Sequence, residues 1–391
     1  MNLKEHARTS SVSLFAGIGG FDLGFRGAGI EPVALCEIWG PARAVLSDRF
    51  PDVPILPDIR TMRSLPRCDA VSAGFPCTDL SQAGRTAGID GEQSGLVREV
   101  MRLLASAKKP PEWVILENVR NMLFLDRGRA MNVLVDGLES LGWRWAYRLV
   151  DARAFGLPQR RQRVILVASR RHDPRTVLFA DEAGEPEDGW YRDDAYGFYW
   201  TEGRGGLGWA KDAVPTLKGG STIGIPSSPA VWLPGEREGR RIVLPCVEDA
   251  EVLQGFPRGW TGAATGRRGN GLRWKLIGNA VPVPVAVWVA ERLTDAGETA
   301  CDSLPFPDDG RWPVAAWGDG SSRFAVHASM WPLRSPYRHL LDLLDLERAV
   351  PLSERATRGF IGRLEAGGLR VAPEEFRLDV KRHLASFGGS G

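Results

Sequence analysis

The chain has 391 residues, 43% apolar and 25% charged, with a net charge of +2. That length supports two or three domains with a sizeable core, and the composition excludes a disordered, collagenous or coiled-coil chain. No window offers the roughly 18 uninterrupted apolar residues of a membrane span; the nearest, VPVPVAVWVA at 281–290, is ten residues long with two prolines. The start, MNLKEHARTS, lacks the apolar core of a signal peptide, which predicts a cytoplasmic protein with no membrane partner. Five cysteines (36, 68, 77, 246 and 301) form no CxxC pair, so neither a disulfide framework nor a metal site is expected. Arginine outnumbers lysine 43 to 7, which suits phosphates and guanine edges, although a GC-rich genome produces the same skew.

In chain order, short apolar runs at 11–15, 32–36, 69–73, 113–116, 143–149 and 163–168 are predicted strands. Amphipathic stretches such as 94–107 and 128–141 are predicted helices between them. This alternation predicts an α/β fold over 1–170, a doubly wound, largely parallel sheet with helices on both faces. Residues 171–276 change texture: 201–240 hold nine glycines with little helical periodicity, and 258–275 hold five basic side chains and no acid. An apolar helix at 281–293 lies within a segment, 277–298, expected to return to the first domain. The extension 299–391 is rich in proline and tryptophan to 336 and then reads as helices at 337–348, 354–366 and 374–387. Ser353 is the expected cap of the second, and Phe376, Val380, Leu384 and Phe387 recur at helical spacing in the third.

Chemistry is expected at the carboxyl ends of the strands. The first strand runs into SLFAGIGGFDLGF, where Gly17, Gly19 and Gly20 allow a tight turn and close approach to a ligand. A nicotinamide fingerprint would need glycine at position 22, which is Asp22. Glu37 ends the second strand, where a carboxylate can hold a ribose, and Asp58 follows at a place suited to an adenine amine. The fourth strand ends in GFPCTDLS, where Gly74 and Pro76 make a fixed turn that presents Cys77. An arbitrary cysteine is more often a buried core residue, but this position favours a nucleophile. The fifth strand ends in ENV, which sets Glu117 beside Cys77 if the two strands are neighbours. In PQRRQR, Arg161 and Arg163 alternate along an extended segment and could converge on one ligand.

These residues resemble the bacterial DNA cytosine-5 methyltransferases, which use S-adenosylmethionine. The matches occur in the family's order: FAGIGG, the acid at Glu37, DI at 58–59, GFPC, ENV, the QxRxR frame at Gln159–Arg163, LQGFP (253–257) and GNAVP (278–282). They cover roughly 11–293, and GFPC, ENV and QxRxR in order form a specific signal. The resemblance implies a Rossmann-like methyltransferase domain, a target-recognition region at 171–276, and a tail of unassigned role. It implies Cys77, Glu117, Arg161 and Arg163 as catalytic. It assigns Phe15, Ala16, Gly17, Gly19, Gly20, Glu37, Ile38, Asp58, Ile59, Pro76, Leu96, Asn279, Ala280 and Val281 to the cofactor. Ser81, Gln82 and Gln159 would meet DNA, together with Thr216, Arg267, Arg268 and Arg273 of the glycine-rich, basic region. Two departures stand out: no threonine and arginine precede LQGFP, and position 38 is Ile where the family often has an aromatic.

The implied reaction is attack of the Cys77 thiolate on carbon 6 of a flipped-out cytosine, which activates carbon 5. Glu117 would engage ring nitrogen 3 and the exocyclic amine, Arg163 the carbonyl oxygen, and Arg161 would steady the cysteine loop. The expected partner is double-stranded DNA, the expected state a monomer, and a separately encoded restriction endonuclease a candidate companion. Alternatives are a transfer-RNA cytosine-5 methyltransferase, a nicotinamide oxidoreductase, and a catalytically inactive DNA-binding regulator. The second needs glycine at 22; the third has no physical need for Cys77, Glu117 and both arginines together.

Overall fold

The computed structural model of the chain describes residues 9–75, 94–187, 189–219, 228–264, 270–367 and 372–388. It opens with β1 (Ser10–Leu14), α1 (Gly20–Gly27), β2 (Glu31–Cys36), α2 (Gly40–Arg49) and the two-residue β3 (Ile55–Leu56). Next come β4 (Ala70–Ala73), α3 (Ser94–Ser106), β5 (Trp113–Val119), α4 (Arg129–Ser140), β6 (Arg144–Asp151), β7 (Gln159–Arg160), β8 (Gln162–Ser169) and α5 (Arg175–Leu178). Short strands follow: β9 (Tyr196–Phe198), β10 (Ala210–Lys211), β11 (Val214–Pro215), β12 (Ala230–Trp232) and β13 (Ile242–Leu244). Then come α6 (Val247–Leu253), α7 (Gly271–Asn279), α8 (Val283–Thr294), β14 (Ser303–Pro305), β15 (Ala315–Gly318) and β16 (Arg323–Val326). The chain closes with α9 (Leu340–Leu343), β17 (Val350–Pro351), α10 (Glu354–Gly367) and α11 (Glu374–Ala385).

The six predicted strands are β1, β2, β4, β5, β6 and β8. Their apolar runs are continuous because the strands are buried on both faces: β4 is buried throughout, and β8 at all but its first residue. Contacts divide the chain into two units, one made of residues up to Ala154 with Gln162–Glu185 and Val281–Arg334, the other of Phe155–Arg161, Pro186–Ala280 and Ser335 onward. The expected boundaries at 170, 276 and 298 therefore shift. The tail from 299 is not a separate extension, since one part belongs to each unit.

The first unit holds a ten-stranded sheet in the order β14-β16-β15-β6-β8-β5-β4-β1-β2-β3. Order reverses between β1 and β4: the chain moves outward through β2 and β3, then resumes on the other side with β4 and β5. A crevice for ligands opens at the carboxyl ends of strands at such a reversal. The sheet is mixed, not largely parallel. β1–β5 pair in parallel, whereas β8 inserts antiparallel between β5 and β6, and β14, β15 and β16 add an antiparallel edge. That edge leaves little periodic signal in the sequence because its strands are three or four residues long and embedded in proline-rich sequence. Helix α8 lies close against α1: a Cβ on Gly24 would fall 2.6 Å from the Ala286 Cβ, so only glycine permits that approach.

The second unit is built on a five-stranded sheet, β10-β9-β12-β13-β17, with a separate parallel pair, β11 and β7. Its core joins Phe198, Trp232 and Ile242 to Leu352, Phe360, Phe376 and Val380 of the tail. Helices α10 and α11 match their predicted ranges, whereas 337–348 is helical only over Leu340–Leu343. Gly271–Thr294 has the apolarity of a membrane span by composition alone. The backbone is extended at Ala280, which divides it into α7 and α8, and 67% of its apolar window is buried, so it is core.

Candidate active site

The loop after β1 lies at the carboxyl end of that strand, beside the reversal of strand order. Phe15 and Gly17 both take left-handed backbone angles, with φ of 57° and 58°. Gly19, the N-cap of α1, has φ 83°, and a Cβ there would lie 2.5 Å from the Phe50 ring. Ala16 N–H donates to the Cys36 carbonyl at 2.9 Å, which joins the loop to the end of β2. The Glu37 carboxylate accepts from Gly17 N–H at 2.8 Å and from Trp39 N–H at 2.7 Å. Burial pushes this carboxyl above its usual range, against the pull of those backbone donors and of Arg43. Glu37 keeps an exposed part, and Ile38 beside it is 58% exposed, a large apolar surface just after β2. Arg43, which the sequence did not single out, donates from Nη1 to the Ile38 carbonyl at 2.5 Å and so helps fix this turn.

Asp58 and Ile59 fall into a different arrangement. Asp58 caps the short turn Ile59–Thr61 and accepts from Arg60 N–H at 2.9 Å. Its carboxylate also takes the Arg60 guanidinium at 2.8 Å, which together hold it below the usual carboxylate range. An adenine amine would have to compete with that arginine. Ile59 is buried in the core of the unit, and Leu96 on α3 is partly buried against the same core.

At the carboxyl end of β5, Glu117 is 8% exposed and its Oε1 lies 2.8 Å from Arg163 Nε on β8. β4 and β5 are parallel neighbours, with Ala73 opposite Leu116, so the condition attached to Glu117 is met. A Cβ placed on Gly74 would lie 3.4 Å from Glu117 Oε2. Asn118 donates from Nδ2 to the Phe75 carbonyl at 3.3 Å and accepts from Val119 N–H at 2.8 Å. The ENV segment thus holds the chain two residues ahead of Cys77. Pro76, Cys77, Ser81 and Gln82 lie outside the described residues, as do Arg267 and Arg268.

Arg161 and Arg163 do not share their described partners. The strand is interrupted at Arg161, between β7 and β8. Arg163 turns to Glu117, whereas Arg161, 2% exposed, donates to the carbonyls of Leu217 (3.1 Å), Gly278 (3.2 Å) and Ala280 (2.8 Å). Gln159 is fully buried: its amide donates to the Leu253 carbonyl and to Gln254 Oε1 and accepts from Leu217 N–H at 3.0 Å. Within the second unit the QxR part of the motif therefore ties together the VPTL, LQG and GNA segments. Gln159 is inaccessible to DNA in this arrangement, contrary to its expected role, because burial and hydrogen bonds use its polar atoms.

Arg273 departs from expectation for a similar reason. It donates to Glu248 Oε1 (3.0 Å), Glu251 Oε1 (2.9 Å) and Thr261 Oγ1 (2.8 Å), and its charge is matched by the acids of α6. Glu251, fully buried, also accepts from Thr261 N–H at 2.8 Å, and buried Asp249 takes Arg258 at 2.8 Å. These pairs anchor the segment ahead of LQGFP that lacks the family's threonine and arginine. Thr216, half-buried, donates to the Arg160 carbonyl at 2.8 Å. Asn279 is exposed, while Ala280 and Val281 are buried. Among the described residues no three His, Cys, Asp or Glu side chains are grouped as metal ligands would be.

Residues 9–191 match the family described as C-5 cytosine-specific DNA methylase. The chain is 47% identical to the type II methyltransferase M2.BsuMI of Bacillus subtilis (strain 168), over 90% of its own length and 92% of that protein. It is 29% identical to the type II methyltransferase M.NlaX of Neisseria lactamica, over 74% of this chain and 98% of the relative. Among solved structures, S. pombe Dnmt2 methyltransferase aligns with a TM-score of 0.54 at 15% identity, covering 74% of this chain and 99% of that one. This last likeness concerns the fold.

Proposed function

Since the chain belongs to the C-5 cytosine-specific DNA methylases, and with its type II relatives is a DNA (cytosine-5-)-methyltransferase of restriction-modification, we propose that Cys77 is its nucleophile and that Glu117 and Arg163 hold the target cytosine. The observation that carries this reading is the Glu117–Arg163 pair at 2.8 Å, next to the β4 end that leads into Cys77. A carboxyl group and a guanidinium side by side match the Watson–Crick edge of cytosine. Glu117 engages nitrogen 3 and the exocyclic amine, and Arg163 donates to the carbonyl oxygen. The thiolate adds at carbon 6 and breaks the aromaticity, so that carbon 5 becomes enamine-like. After methylation, loss of the carbon 5 proton and expulsion of the thiolate restore the ring.

The residues after β1 and β2 suit S-adenosylmethionine. The Glu37 carboxylate, oriented by Gly17 and Trp39 N–H, can take a ribose diol, and exposed Ile38 offers an apolar face to adenine. When bound, this cofactor supplies an electrophilic methyl group on a sulfonium sulfur. A base in a stacked duplex hides carbon 5, so the cytosine is flipped out at a cost of a few kcal/mol. The second unit, with its glycine-rich segments, is the proposed reader of flanking double-stranded DNA.

Cys77→Ser tests the assignment. The variant should lose methyl transfer by several orders of magnitude while retaining its fold. DNA carrying 5-fluorocytosine should form a covalent adduct with the thiol enzyme and none with the variant. Substantial turnover by the serine variant would refute the nucleophile.

A further inference from the structure

The residue that breaks the dinucleotide spacing, Asp22, occupies a distinctive position. It sits in the first turn of α1 and is fully buried. Its Oδ1 accepts from Ser13 Oγ on β1 at 2.7 Å, and Ser13 Oγ lies 2.6 Å from Ser72 Oγ on β4. Ser13 and Ser72 are register partners in the parallel β1–β4 pair, one residue before each strand ends. The three side chains form a hydrogen-bonded line across the point where strand order reverses. On one side the line stands beneath the glycine loop, and on the other beneath the Gly74–Phe75 turn. Asp22 Oδ2, by contrast, is buried with no hydrogen-bond partner among the described residues.

A carboxylate with a bare buried oxygen is costly unless a charge or a proton meets it. Burial pushes the Asp22 carboxyl up to about 6, against the hydrogen bond from Ser13, its own backbone N–H and the charge of Arg26. Arg26 is itself 3.3 Å from Glu31 at the start of β2. From α8 the face against α1 at Gly24 is Ala286, which is uncharged. Among the described residues, Glu37, beside Arg43 and hydrogen-bonded to the glycine loop, is a second acid whose carboxyl is raised by burial. Proton uptake by Asp22 also reverses the line. Ionised, it accepts a hydrogen bond from the Ser13 hydroxyl and Ser72 donates to Ser13; protonated on Oδ1, it donates to Ser13 and Ser13 donates to Ser72.

We propose that Asp22 is a positioning residue whose ionised form, acting through Ser13 and Ser72, favours a sulfonium cofactor and fixes the β1 and β4 loops for it. This rests on the assignment of S-adenosylmethionine to the glycine loop. A cationic ligand draws the proton off Asp22, so binding releases protons near pH 6 and affinity rises with pH through that window.

The test is calorimetry of S-adenosylmethionine binding in buffers of different ionisation enthalpy, from pH 5 to 7.5, with full-length wild type, Asp22→Asn and Ser72→Ala. Wild type should release a fraction of a proton at pH 6 and bind roughly fivefold or more tightly at pH 7.5 than at pH 5. Asp22→Asn should release markedly less and bind with a flatter pH profile, the remainder belonging to Glu37. Ser72→Ala, which leaves the acid in place, should keep a release whose midpoint is displaced. Equal proton release by wild type and Asp22→Asn overturns the proposal. Absence of binding by wild type at every pH overturns the cofactor assignment itself. If Asp22→Asn does not fold, carbon-13 shifts of the Asp22 carboxyl in the wild type decide: a titration midpoint that falls when cofactor is added supports the proposal, and an unmoved one refutes it.

Discussion

Glu117 on β5 and Arg163 on β8 meet diagonally across an antiparallel pair in which Val119 stands opposite Arg163 and Glu117 opposite Ile165. The two side chains share one face, with Nε and Oε1 2.8 Å apart and both groups largely removed from water. Removing one partner of a buried pair strands the other charge. Arg163→Ala should therefore destabilise the protein by about 3 kcal/mol and abolish methyl transfer. Glu117→Gln should cost less stability, since an amide still accepts from the guanidinium, yet lose most activity. Urea denaturation alongside radiolabelled methyl transfer checks both; an active Glu117→Gln enzyme would remove Glu117 from the mechanism.

Glu37 and Asp58 should separate in cofactor binding. Glu37→Ala removes a carboxylate oriented by two N–H donors and should weaken S-adenosylmethionine binding by roughly 1.5–3 kcal/mol. Asp58→Ala should change affinity far less, because Arg60 already occupies that carboxylate. Calorimetry on both variants decides, and equal losses would put Asp58 back among the cofactor contacts.

Stability should respond to pH through Asp22. Its carboxyl is raised in the folded protein to about 6 from an ordinary 3.8, so the folded state holds the proton more tightly than the unfolded state. Stability from this group is full below about 3.8 and falls as pH rises through 6, by roughly 3 kcal/mol in total. Unfolding free energies at pH 5 and pH 7 should drop more in wild type than in Asp22→Asn. An identical drop in both proteins would assign the pH dependence to other groups.

The tail should behave as core. Leu352, Phe360, Phe376 and Val380 pack with Phe198 and Trp232, and Trp232 Nε1 donates to Asp379 Oδ2 at 3.0 Å. Deleting 337–391 should thus unfold the second unit, seen as loss of a cooperative transition. It follows that transplanting 171–276 alone into a related enzyme should yield an insoluble or inactive chimera. Transplanting 186–280 together with 335–391 should carry this protein's methylation site, mapped by bisulfite sequencing. An active 171–276 chimera with this protein's specificity would show that the tail is dispensable.

What the sequence determined by itself were the features written in consecutive residues. Continuous apolar runs mark strands buried on both faces, and Gly17 and Gly19 mark turns that side chains resist. FAGIGG, GFPC and ENV each follow a predicted strand, as Glu37 does, which set the glycine loop, Glu37, Cys77 and Glu117 at expected strand ends without any knowledge of pairing. Tertiary structure decided what depends on distant partners. Pairing made β4 and β5 neighbours, inserted β8 antiparallel between β5 and β6, and turned three short tail strands into part of the main sheet. It also decided which polar groups are matched internally: Arg273 by Glu248 and Glu251, Arg161 by three carbonyls, Gln159 in a buried knot, and Asp58 by Arg60. A basic or amide side chain looks available in one dimension, and only the fold shows whether burial has matched it with a partner before any ligand arrives.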